Sequence, residues 1–94
     1  MKITDVKIRK TFNHPDDRLR ALVSITLDGC FAVHDIKVIQ GNDRLFAAMP
    51  SRRDESGKFR DIVHPTNPEL RREFERIIIK AYQDYVSLFN TDSE

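Results

Sequence analysis

The chain has 94 residues, of which 39% are hydrophobic and 33% charged, with 16 basic and 15 acidic side chains and a formal net charge of +1. That length suits one domain and is too short for two, and the balance of apolar and charged residues excludes a disordered chain. Near-neutrality excludes a protein that binds polyanions by bulk charge, so any such site must be a local patch.

The elements read in order as an antiparallel meander over residues 1–49, a basic excursion over 50–66 and a helix over 67–89. Val6, Ile8 and Phe12 alternate with Asp5, Lys7 and Arg9, which predicts a strand with one face in a core and one in water. Leu19, Ala21, Val23, Ile25 and Leu27 repeat the pattern against Arg20, Ser24, Thr26 and Asp28. Between the two runs lies Asn13-His14-Pro15-Asp16-Asp17, a five-residue hairpin loop of turn-formers. Asp28-Gly29 predicts a tight two-residue turn, because both residues tolerate positive φ. The run from Phe31 to Ile39 is apolar on both faces, with Phe31, Val33 and Ile39 on one and Ala32, Ile36 and Val38 on the other. Such a strand is expected to be central or to meet a partner on its second face. Gly41-Asn42-Asp43 forms a third turn before a short strand, Leu45 to Met49.

Pro50 closes the meander. The polar stretch Ser51 to Lys58 predicts an exposed loop, with a short returning strand from Phe59 to Val63. His64-Pro65-Thr66-Asn67-Pro68 cannot be regular structure, but Asn67 suits a helix N-cap and Pro68 the first helical position. The helix follows, with Leu70, Phe74, Ile77, Ile78, Ala81, Tyr85 and Leu88 as its core stripe. The fold class is therefore α+β: an antiparallel sheet of four to five strands carrying one long C-terminal helix. Ile79, Tyr82, Val86 and Phe89 widen the apolar arc of the helix beyond what one sheet requires. Either a second subunit or a long loop covers that flank, and a homodimer is the expectation.

No catalytic or metal-binding pattern emerges. His14, His34 and His64 lack a second ligand at metal spacing, and adjacent His34 and Asp35 point to opposite faces of a strand. Cys30 is a single thiol, which argues against a secreted disulfide scaffold. The three glycines are in separate turns, so no glycine-rich phosphate loop exists, and the carboxylate pairs lie in polar loops without an apolar surround. No cofactor, metal or small-molecule substrate is expected. The first residues lack an apolar signal region and no run is long enough to span a membrane, which predicts a cytoplasmic protein.

The basic residues are the informative ones. Arg52, Arg53, Lys58 and Arg60 fall within nine residues of the excursion, near Asp54 and Glu55. Arg71, Arg72, Arg76 and Lys80 lie on the helix, where Glu69, Glu73 and Glu75 stand close enough to pair with them. Arginine forks suit phosphates, so the loop set is the better nucleic-acid candidate, and Phe59 between Lys58 and Arg60 suits either stacking or packing.

Four separated blocks then carry a resemblance. Met1-Lys2-Ile3-Thr4-Asp5-Val6-Lys7-Ile8-Arg9, Val33-His34-Asp35-Ile36-Lys37-Val38-Ile39, Leu45-Phe46-Ala47-Ala48-Met49-Pro50-Ser51-Arg52-Arg53 and Gly57-Lys58-Phe59-Arg60-Asp61-Ile62-Val63-His64-Pro65 resemble, in order, the stage V sporulation protein G (SpoVG) family. The loop from Asn13 to Arg18 looks slightly longer than that family's turn. The resemblance implies a small dimeric bacterial protein linked to sporulation, to control of asymmetric septation and to gene regulation through DNA and RNA. It implies nucleic-acid contact at Arg52, Arg53, Lys58 and Arg60, with Arg71 and Arg72 on the helix. The alternative expectation is a protein-interaction module of the division machinery that does not touch nucleic acid. It would use the two-sided strand or the Ile79/Tyr82/Val86/Phe89 flank.

Overall fold

The structure, a computed structural model, describes residues 1–90, and the side chains of Phe89 and Asn90 lie outside the description. Strands β1 (Ile3–Thr11), β2 (Leu19–Leu27), β3 (Phe31–Gln40) and β4 (Leu45–Ala48) form an antiparallel sheet in the order β1-β2-β3-β4. A separate ribbon, β5 (Ser51–Arg53) with β6 (Phe59–Asp61), precedes one helix, α1 (Pro68–Asn90). The α+β class and the meander agree with the sequence.

The turns obey their local chemistry. Asp28 and Gly29 take φ of 51° and 70°, the doubly positive pair expected of a tight turn, and Cys30 N–H donates to Leu27 O at 3.0 Å, but Leu27 stands opposite Phe31, so three residues rather than the expected two join the strands. In the first hairpin Arg20 Nη2 donates to the carbonyls of His14 and Asp17, so a half-buried arginine draws the loop together. Asn67 caps α1 through its Oδ1, which accepts from Leu70 N–H at 2.7 Å.

The core lies between α1 and one face of the sheet. Ala21, Val23, Ile25 and Leu27 of β2 meet Val33, Ile36 and Val38 of β3, with Phe74 and Ile78 closing it from the helix. The expected two-sided β3 is not what forms. Val23 pairs with Ile36 and Ile25 with Val33, so His34 and Asp35 together oppose the single residue Ser24. Asp35 adopts φ of 64° in this bulge, a left-handed conformation that aspartate tolerates better than most side chains. The extra residue shifts the alternation by one, so Val33, Ile36 and Val38 all face the helix.

The helix also sits differently on its axis. Phe74 and Ile78 are buried, while Ile79 and Tyr82 pack against the core and Leu88 is 68% exposed. Part of the wide apolar arc is thus taken up by the chain's own sheet. Among the described residues, no helix is long and apolar enough to cross a membrane.

Candidate nucleic-acid interface

The excursion after Pro50 is a ribbon, not a loop. Ile62 N–H donates to Pro50 O at 2.8 Å, and Ser51, Arg52 and Arg53 pair with Asp61, Arg60 and Phe59. Asp54 makes the reversal possible. Its N–H donates to Lys58 O, its own carbonyl accepts from Gly57 N–H, and Gly57 supplies a φ of 86°. Asp54 Oδ1 accepts from Ser56 Oγ at 2.7 Å, Ser56 N–H at 2.9 Å and Lys58 N–H at 3.0 Å. Oδ2 accepts from Arg60 Nε at 2.6 Å. The Ser56 hydroxyl foremost, then Arg60 and the Lys58 amide, favour the ionised form and hold the carboxyl at about 2 against an ordinary 3.8.

Alternation splits the cations between the two faces of the ribbon. Arg52 stands opposite Arg60 on one face. On the other, the Arg53 guanidinium lies over the Phe59 ring, 5.2 Å from its centroid. Phe59 is 68% exposed and all six strand residues are open to solvent. A concavity of about 700 Å³ beside the ribbon is lined by Arg52, Arg53 and Arg60 together with Asp54, Glu55 and Asp61.

The other named residues divide. Asp61 reaches Arg71 Nη2 at 4.0 Å, so Arg71 joins the base of the ribbon. Arg72 instead lines a second depression with Arg44, Arg76 and Lys80. There Arg44 pairs with Glu75 at 2.8 Å and Lys80 with Asp84 at 3.1 Å. Of the flank proposed to meet a partner, Ile79 and Tyr82 touch the core, Val86 is half-buried, and the Phe89 side chain lies outside the described residues.

The histidines are scattered: His14 Nδ1 accepts from Asp16 N–H at 3.3 Å, and His34 Nδ1 and Ser24 Oγ are 2.8 Å apart. Among the described residues no three His, Cys, Asp or Glu side chains gather in a metal-binding group. Sequence reasoning also passed over one set of cations. Lys7, Arg9, Lys10 and Lys37 fall on the sheet face away from the helix. Read strand by strand they are only the wet positions of alternating runs, and the register collects them.

The chain matches the family model SpoVG over residues 1–84. It is 54% identical over 84 residues to a protein of Staphylococcus saprophyticus subsp. saprophyticus named "Putative septation protein SpoVG", covering 89% of this chain and 81% of that one. Proteins of the same name from Staphylococcus carnosus and Macrococcus caseolyticus are 52% and 51% identical over the same share of this chain, and 77% and 71% of theirs. Matched along most of its length by both the family model and these relatives, the chain belongs to the SpoVG family.

Proposed function

We propose that this protein is a non-enzymatic, nucleic-acid-binding regulator that acts on septation and sporulation, and that the β5–β6 ribbon is its contact with DNA or RNA. One observation carries the binding half of this reading. The ribbon presents Arg52, Arg53, Lys58 and Arg60 to solvent, and among the described residues only Arg60 of the four is ion-paired, to Asp54. A two-stranded ribbon is narrow enough for the major groove, and arginine forks on both of its faces suit the phosphates that flank a groove. Arg71 extends the surface at the base. The septation half rests on the names of the relatives.

With few phosphate contacts per protomer, affinity falls by about 0.9 log unit per log unit of salt for each phosphate neutralised on duplex DNA. The test is fluorescence anisotropy on mixed-sequence duplex DNA and RNA across a salt series. Arg52→Ala/Arg53→Ala lowers the duplex slope by about 1.8 if each arginine holds one phosphate. Wild-type affinity in that double variant at low salt overturns the assignment.

A second reading has an observation of its own. Met1, Phe31 and Val63 are 72%, 59% and 37% exposed around an apolar cleft of about 220 Å³ floored by Ile25, Leu27 and Phe74. That surface favours a protein contact, with a second copy of this chain or with a component of the division machinery. Salt-insensitive association, measured with sedimentation of the protein alone and with its partner, supports it over the nucleic-acid reading.

A further inference from the structure

The depression lined by Arg72 and Arg76 is one end of a longer groove. The sheet order makes β4 an outer strand, and among the described residues no strand lies along its far edge. Its register with β3 runs from Gln40↔Leu45 to Lys37↔Ala48 without a shift, whereas the register of β1, the opposite outer strand, shifts twice. Gly41 N–H donates to Arg44 O at 2.8 Å across the turn. By alternation Phe46 and Ala48 also turn their backbone groups toward β3, and Leu45 and Ala47 turn theirs outward. Arg44 Nη1 reaches Leu45 O at 3.5 Å, as an outward carbonyl allows. The N–H and C=O groups of Leu45 and Ala47 thus form a short, straight template for another strand.

The helix walls this edge. Ile79 and Leu45 line the depression, of about 640 Å³, and Arg71, Ala47 and Met49 line a smaller one of about 170 Å³ beyond it, so α1 runs alongside β4 in the opposite sense. Arg44 and Glu75 line both, and their 2.8 Å ion pair ties strand to helix. Arg72, Arg76 and Lys80 follow four residues apart along the wall. Lys80 pairs with Asp84, but among the described residues neither Arg72 nor Arg76 is ion-paired. The other side of the edge is apolar. Leu45 and Ala47 pack against the core, which puts Phe46 and Ala48 on the open face of the sheet, where both are half-buried.

We infer that the β4–α1 groove binds an extended segment of a partner protein, in which acidic residues alternate with apolar ones, as an added strand on β4. Backbone selects the class of partner. An edge of N–H and C=O groups is completed by another peptide backbone, and several peptide-binding domains take an extended ligand on an edge strand in this way. Side chains select its sequence. In an added strand, successive side chains point to opposite faces. One set comes to Arg72 and Arg76 on the helix side, where carboxylates suit the guanidinium forks. The other set comes to Phe46 on the open side, where apolar side chains pack best. β4 has only four residues, so the cations of the wall must supply part of the affinity, and binding weakens with salt. The ribbon takes no part, so this surface stands or falls separately from the function proposed above.

The probe is a labelled peptide of alternating glutamate and valine, about ten residues long, compared with polyglutamate and with mixed-sequence RNA. Hydrogen exchange of the full chain should show the Leu45 and Ala47 amides gaining protection with the alternating peptide, because their N–H groups become strand bonds. Arg76→Glu, at an exposed position, should weaken the peptide about fivefold at low salt and leave the thermal midpoint unchanged. Ala47→Pro deletes an outward N–H while sparing the ladder to β3, and should weaken the peptide about tenfold. The peptide supplies a check that no folding defect can mimic. N-methylation of the alternate amides that face β4 should abolish binding, and N-methylation of the other set should be tolerated. Equal effects of the two sets, or no gain of protection at Leu45 and Ala47, overturn the inference while leaving the ribbon reading intact. Polyglutamate binding as tightly as the alternating peptide reduces the groove to charge and also overturns it. Protection of those amides in the protein alone, rising with its concentration, overturns it in favour of a second copy. Protection by RNA in place of the peptide overturns it in favour of nucleic acid.

Discussion

Three consecutive isoleucines in α1 act as an internal gauge of how the helix is set on the sheet. Ile77, Ile78 and Ile79 are about 100° apart around the axis and share helix propensity, so truncation to alanine differs among them only through burial. Ile78 is fully buried, whereas the other two are half-buried, and of those two Ile79 packs against the core. Emptying a fully buried isoleucine costs about 2–5 kcal/mol, so Ile78→Ala is set at ~3 kcal/mol. Scaled by the area each hides, Ile79→Ala costs ~1.5 kcal/mol and Ile77→Ala ~1 kcal/mol. In a domain of this size each kcal/mol lowers the thermal midpoint by about 4–8 °C, which gives a drop of roughly 12–24 °C for Ile78→Ala. Thermal unfolding followed by far-UV circular dichroism reads all three. A midpoint for Ile77→Ala as low as that of Ile78→Ala, or an Ile79→Ala variant less affected than Ile77→Ala, would refute this placement of the helix.

Other consequences are as direct. The Asp54 carboxyl titrates near 2 in the folded ribbon and near 3.8 when released. Folding therefore favours its ionised form, and its contribution is complete above about pH 4 and lost as pH falls through 2. Protection of the Gly57 and Lys58 amides, measured against their intrinsic exchange rates, should fall over that window, and Asp54→Asn should abolish that fall. Gly41→Ala should lower stability by about 1–2 kcal/mol, because its new Cβ would stand 3.0 Å from Arg44 O and 3.2 Å from the Phe46 ring. Denaturant titration of that variant against wild type measures it. Asp35→Val places a β-branched side chain at φ of 64° and should cost more than ~1 kcal/mol, whereas Asp35→Gly should be neutral or stabilising. Equal midpoints for those two variants would argue against the bulge.

Signals confined to a few neighbouring residues were readable from the sequence. The Asn67-Pro68 helix start, the Asp28-Gly29 turn and the alternation of β2 each have a local cause, and each formed where expected, the turn with Cys30 as a third residue. The β3 bulge did not announce itself, because it depends on which residue of β2 lies opposite, and only pairing decides that. Strand β5 was missed since Ser51-Arg52-Arg53 has no apolar alternation; its partner strand and the Asp54 side chain create it. The rotation of α1 was off by one isoleucine because Ile77, Ile78 and Ile79 are equivalent until a sheet chooses among them. In the candidate site, the cluster of Arg52, Arg53, Lys58 and Arg60 was legible from spacing. Their division between two ribbon faces and the tie from Asp61 to Arg71 required the fold.

β1 has nine residues and lies at the border of the four-stranded sheet, where, among the described residues, one row of its backbone N–H and C=O groups has no neighbouring strand. Such borders recruit other chains and seed aggregates unless charge or irregularity blunts them. Register shifts near Thr4 and Arg9 break the regular spacing of this one, and Lys7, Arg9 and Lys10 surround it with positive charge. The same lysines and arginine therefore serve solubility whatever else they touch. Replacing them with apolar residues should make the protein prone to β-rich precipitation at high concentration, a liability that single alanine substitutions leave mostly hidden.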